Sequence, residues 1–195
     1  GSLNTSVGLS SLRFNTSGSF NTVVGAMALR VSNSVGNTAF GFGNLESNTS
    51  GNYNTSVGME ALSLNNSGSY NTAIGYEALE NNTKSYMTAI GSRALKENSS
   101  GENNIAIGYK ALEKNTVGSN NLAFGNNSLD SNINGRQNSA FGVQALTENV
   151  SGVGNNAFGY HTLYNATGSY NSGFGSSALS SLTSGVRNTA MGHAG

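Results

Sequence analysis

Hydrophobic and polar positions recur along this chain on a ruler of about seventeen residues. A glycine closing the phrase Asn-Thr-Ala-Phe/Ile-Gly falls at Gly8, Gly25, Gly41, Gly58, Gly75, Gly91, Gly108, Gly125, Gly142, Gly159, Gly175 and Gly192, so every interval is 16 or 17 residues. The residue before that glycine is always large and apolar, from Val7 through Ile74 to Met191, and the one before that is mostly alanine. Four residues after the glycine stands leucine in all eleven instances, Leu12 to Leu179. Four before it stands asparagine, except at Met87, and seven before it a second glycine, except at Ser34 and Lys84. A random low-complexity chain does not hold leucine in register eleven times. The marks run end to end, which predicts a single repeat domain over residues 1–195.

One unit supplies one large apolar residue, one leucine and one alanine to face inward, too little to fold alone. Stacked units share a continuous core, the logic of a solenoid. The phrase Thr72-Ala73-Ile74-Gly75 reads as a short strand whose side chains alternate, so Ala73 and Ile74 face opposite ways. One face is the coil's own core; the Ala/Gly face permits close approach of a neighbouring wall or a second chain. The next pieces, Tyr76–Glu80, Arg93–Glu97 and Lys110–Lys114, contain good helix formers in stretches too short for an independent helix, and read as a helical turn or tight bend. Asn115-Thr116-Val117-Gly118-Ser119 has turn chemistry. The expected fold is therefore all-β: a β-solenoid of about 17 residues per coil and roughly 12 coils, with short helical turns after each strand. Strand spacing of ~4.8 Å makes it a rod of roughly 55 Å. The asparagine column reads as a stacked ladder at a corner, its amides satisfying turn backbone.

Composition then removes whole classes of function. Nine Lys and Arg balance nine Asp and Glu, so the basic surface that tracks phosphates is absent. No run approaches the ~20 apolar residues of a membrane helix. Without cysteine there is neither a disulfide framework nor a thiolate metal site. Catalysis finds little material: His161, His193 and Asp130 are the only histidines and the only aspartate. His161 shares a variable column, expected to face solvent, with Glu60, Glu77, Arg93 and Lys110. No phosphate-binding Gly-x4-Gly-Lys-Ser/Thr occurs, and one aspartate cannot supply repeated calcium loops. The chain reads as a non-enzyme with no cofactor and no metal.

Aromatic placement is the sharper signal. Tyr53, Tyr70 and Tyr86 occupy the same column in consecutive coils and should stack into a stripe; Tyr76, Tyr109 and Tyr160 share a second column. Such stripes serve either packing between coils and chains or the stacking of sugar rings beside Asn and Ser. Thr5, Thr22, Thr38, Thr55, Thr72 and Thr88 form a regular array of the kind that can bind ice, but it breaks at Ile105, Leu122, Ser139 and Asn156.

The phrases Asn71-Thr72-Ala73-Ile74-Gly75 and Asn104-Ile105-Ala106-Ile107-Gly108 resemble the repeats in the heads of trimeric autotransporter adhesins. The longer phrase running from Gly68 to Leu79 is similar to repeats of tail-fibre-like proteins that often end in an endosialidase-type chaperone. That resemblance covers nearly the whole chain and implies a fibrous homotrimer on a cell surface or virion, outside the cell. Its implied role is shaft or receptor-contacting head, with a host glycan or protein as partner. The period is longer than that of the adhesin head, so the coils need not match that β-roll. A single-chain solenoid serving as spacer or protein-interaction surface is the alternative.

Overall fold

The computed structural model describes residues 1–193; the last two residues of the repeat domain lie outside the described residues. Each phrase before a marker glycine forms a three-residue strand: β1 (Thr5–Val7), β2 (Thr22–Val24), β3 (Thr38–Phe40), β4 (Thr55–Val57), β5 (Thr72–Ile74), β6 (Thr88–Ile90), β7 (Ile105–Ile107), β8 (Leu122–Phe124), β9 (Ser139–Phe141), β10 (Asn156–Phe158), β11 (Ser172–Phe174) and β12 (Thr189–Met191). These pair in chain order as one sheet, every neighbour parallel. Register follows the columns, with Val57 beside Ile74 and Ile74 beside Ile90, so each coil lies on the last as a β-solenoid. Where an interval is 16 rather than 17, the strands keep register, because the missing residue comes out of the turn before the second glycine.

The core is leucine and alanine. Leu62, Leu79, Leu95 and Leu112 are wholly buried, together with the strand alanines Ala73, Ala89 and Ala106 and the turn alanines Ala61, Ala78, Ala94 and Ala111. Each buried leucine contributes about 2 kcal/mol of transfer free energy. The large apolar residue of each strand does not join them, contrary to the expectation that it faces inward. Ile74 is 38% exposed and Phe40 54%, while Ala73 between Thr72 and Ile74 is fully covered. In a three-residue strand only the middle side chain can share a face by itself. The narrow interior, already filled by leucine, accepts the small one. The alanine face therefore meets the opposite wall of its own coil, and no second chain reaches it. Local size changes offset each other inside: where the strand position is Gly173, the space its Cβ would take lies 2.6 Å from the Thr162 methyl.

No helix occurs among the described residues, so the expected helical turns are turns of another kind. The second and fourth residues after the marker glycines from Gly8 to Gly175 are left-handed: Glu77 has φ 54° and Leu79 φ 53°, Lys110 φ 56° and Leu112 φ 52°. Alternate left-handed residues cannot belong to a right-handed helix, and each costs on the order of 1 kcal/mol. Stacking offsets that strain. The Glu77 N–H donates to the Met59 carbonyl of the preceding coil and the Leu79 N–H to the Ala94 carbonyl of the following one, both at 3.0 Å. Peptide groups that would close a helix internally are turned up and down the stack instead. The same twist points leucine inward. The marker glycine is obligatory: Gly108 has φ +138°, and a Cβ there would sit 2.5 Å from the Gly125 carbonyl oxygen.

Candidate functional site

The asparagine column forms the expected corner ladder. The Asn54 N–H donates to Oδ1 of Asn37, and the Asn71 N–H to Oδ1 of Asn54, at 2.9 Å each. Nδ2 of Asn54 donates onward to the Gly68 carbonyl at 2.9 Å, so one buried amide satisfies backbone groups of the next coil twice. Met87 interrupts the ladder, leaving the Asn104 N–H facing its thioether at 3.4 Å. A second ladder runs through Asn98, Asn115 and Asn132, with Nδ2 of Asn115 donating to Asn98 at 2.8 Å and Nδ2 of Asn132 to Asn115 at 2.7 Å. Sequence reading identified Asn115 as a turn residue but missed this column. The signal was present: asparagine stands three residues after each leucine from Asn48 to Asn149.

One residue before the first ladder stands the tyrosine stripe. Tyr53 and Tyr70 stack at 5.2 Å between ring centres, and Tyr70 and Tyr86 at 5.3 Å with planes 1° apart. All three have left-handed backbone, which throws the ring outward from the corner. At its start the stack is closed off, because Tyr53 lies against Gly36, where a Cβ would approach the ring within 2.6 Å. At its other end Tyr86 is 65% exposed, and the next coil offers Asn103 in place of a ring. A depression of about 310 Å³ opens there among Lys84, Ser85, Tyr86, Glu102 and Asn103. A second, of about 360 Å³, lies farther along the same corner among Val117, Asn120, Asn134 and Arg136.

Tyr76, Tyr109 and Tyr160 are not brought together. Ser92 separates the first two and two coils, at Asn126 and Val143, the last pair. Each finds a local partner instead: Tyr109 lies 5.6 Å under the Lys110 ammonium, Tyr160 beside the His161 ring at 5.6 Å, and Tyr76 is hydrogen-bonded to Glu77, which lifts its phenol above the ordinary value. His161 also stacks on Tyr164 at 4.0 Å.

The variable column is less solvated than its sequence suggested. Glu77 and Glu113 are nearly buried and belong to an ion network: Lys96 lies 2.6 Å from Glu77 and 3.3 Å from Glu80, and Arg93 2.8 Å from Glu113 and 3.4 Å from Glu77. Burial alone would raise the Glu77 pKa, but the hydrogen bonds from Lys96 and Tyr76 and the charges of Lys96 and Arg93 outweigh it and hold the carboxyl below its ordinary value. The Lys96 ammonium is correspondingly raised, chiefly by its hydrogen bond to Glu77. Glu60, Glu77 and Glu80 bring three carboxylates together, and the Lys96 ammonium supplies the counter-charge to two of them. Asp130 has its pKa raised, first by burial.

The outer strand wall carries the remaining feature. Phe124, Phe141, Phe158 and Phe174 stack at 5.3, 4.9 and 5.2 Å, and Val57, Ile74, Ile90 and Ile107 continue the same column toward the start of the chain. Beside it the threonines from Thr5 to Thr88 lie in register until Ile105. No family model, curated protein or solved structure matches this chain.

Proposed function

We propose that this chain is a non-enzymatic segment of a fibrous attachment structure, a shaft or receptor-contacting head of a tail-fibre or surface-adhesin type that works outside the cell as a homotrimer. The observation that carries this reading is the exposed apolar column on the strand wall. A monomeric rod has no use for it in water, whereas parallel copies would cover it. Twelve apolar side chains, five of them phenylalanine, exposing roughly 50–100 Å² each come to on the order of 800 Å² per chain. That is about what a standard interface takes from each partner. The alanine face, which its small side chains made a candidate for close approach of a second chain, is buried in its own coil and takes no part in the assembly. The apolar stripe replaces it.

The resemblance of the Asn71–Gly75 phrase to adhesin-head and tail-fibre repeats supports the surface setting. The engagement of His161 by two tyrosine rings supports a role without catalysis. Receptor contact then falls to the corner opposite in chemistry, where tyrosine, serine and asparagine side chains are exposed. Light scattering with small-angle X-ray scattering tests the assembly: three chain masses in an elongated particle are expected. A single-chain mass at all concentrations would overturn the trimer and leave a spacer or protein-interaction rod. Labelled protein binding to intact cells tests attachment, and its absence on every cell type tried would overturn that role.

A further inference from the structure

The geometry points to a saccharide subsite at the open end of the tyrosine stack, built on the Tyr86 ring and flanked by Lys84, Ser85, Glu102 and Asn103. The inference deepens the attachment role proposed above and rests on it only for its biological meaning. Each ring of the stack is covered by the next coil's ring until Tyr86, where Asn103 is too short to continue. The depression of about 310 Å³ at that point is large enough for one pyranose ring and its substituents.

Three chemical features fit a sugar better than another apolar guest. An aromatic face offers itself to the C–H face of a pyranose, the same amphipathic use of tyrosine that serves other half-wet contacts. The walls are hydroxyl, amide and carboxylate, groups that donate to and accept from sugar hydroxyls. The Lys84–Glu102 pair is loose, 3.8 Å apart with both side chains exposed, so hydroxyls can enter between the charges without breaking a buried bridge. The site also coincides with an irregular coil. Lys84 stands where every other coil but that of Ser34 carries glycine, Met87 where every other coil carries asparagine, and no other coil makes both departures. A purely structural rod has no reason to break its pattern twice beside its most exposed tyrosine.

The test is saturation-transfer NMR on the full chain with methyl glycosides of glucose, galactose, N-acetylglucosamine and sialic acid as probes. At least one glycoside is expected to receive saturation on its ring C–H protons, with affinity falling at least tenfold in Tyr86→Ala. Tyr86→Phe, which keeps the stacking face, should bind within about threefold of the parent chain. Tyr164→Ala, on another wall, should bind unchanged. A melting curve of Tyr86→Ala matching the parent separates lost contact from lost fold; if that variant melts early, Lys84→Ala with Glu102→Ala, both exposed, replaces it and should also weaken binding. No binding by any glycoside, or binding indifferent to these changes, overturns the subsite. Cell attachment that persists in Tyr86→Ala would place the receptor contact elsewhere on the rod, leaving the attachment role intact while removing the sugar site.

Discussion

Two aromatic stacks run along this rod at nearly the same spacing, and their neighbours give them different characters. The phenylalanines from Phe124 to Phe174 lie on the strand wall, continuous with isoleucine and valine in earlier coils. The tyrosines from Tyr53 to Tyr86 project from a left-handed corner one residue from the asparagine ladder, and end at a polar depression. Coil spacing of ~4.8 Å makes a ring ladder wherever a column repeats an aromatic. What the ladder can do depends on what flanks it. A flat apolar stripe suits another rod; an open ring amid hydroxyls suits a small polar ligand.

The strongest way to break the comparison is to remove the stacking both ladders share. Gly108→Ala forces a Cβ onto the next coil's carbonyl at φ +138°. A loss on the order of 4 kcal/mol is expected by thermal or chemical denaturation. Next comes the asparagine column, which lies between the two stripes and fixes their separation. Asn121→Ala strips the acceptor from the buried Asn138 N–H and the donor from the Gly135 carbonyl, and should cost about 3 kcal/mol in urea melts.

Phe158→Asp separates the stripes by function. A charge in the middle of the phenylalanine stack should weaken the self-association proposed above about 100-fold by sedimentation, while Tyr70→Asp leaves it unchanged. Equal effects would show that the two walls are not distinct.

The smallest expected effect is pH-dependent. Because the Glu77 pKa is held below its unfolded value, its ion pairs stabilise the fold above that unfolded value and are lost as pH falls through the lower, folded one. Lys96, raised in the fold, gives stability that is full below the ordinary lysine range and is lost as pH rises through the folded value. Asp130, raised by burial, opposes Glu77: its share favours the fold below the ordinary aspartate range and disappears as pH climbs through its folded value. Glu77→Gln should flatten the acid limb of the unfolding free energy, followed by urea denaturation against pH, by about 1 kcal/mol at most, whereas the neutral asparagine ladders contribute no such slope.

Much of the architecture was legible because a repeat multiplies weak evidence. One leucine four residues after a glycine means nothing; eleven define a core column. The Tyr53–Tyr70–Tyr86 stack followed from the same reasoning, since equal column and consecutive coils place rings over one another. The reading failed where the columns do not say which way they face. Ile74 and Ala73 alternate whichever side is the core, and hydrophobicity alone assigned the larger residue inward. It failed again at Tyr76–Glu80, where helix propensity yielded to left-handed residues whose N–H groups bond to adjacent coils. Glu77 reads as a surface charge because the partners that cover it, Lys96 and Arg93, lie in the following coil.

By itself the chain's periodicity determined the stack: which residues sit above which, how many coils there are, and where buried asparagine replaces water. Repetition at fixed spacing is a property of one dimension, and a sequence states it outright. Only the folded coil decided which columns point in and which rings end in open space. Those outcomes depend on how wide the interior is and on what the neighbouring coils put beside each side chain, and both are settled by packing in three dimensions.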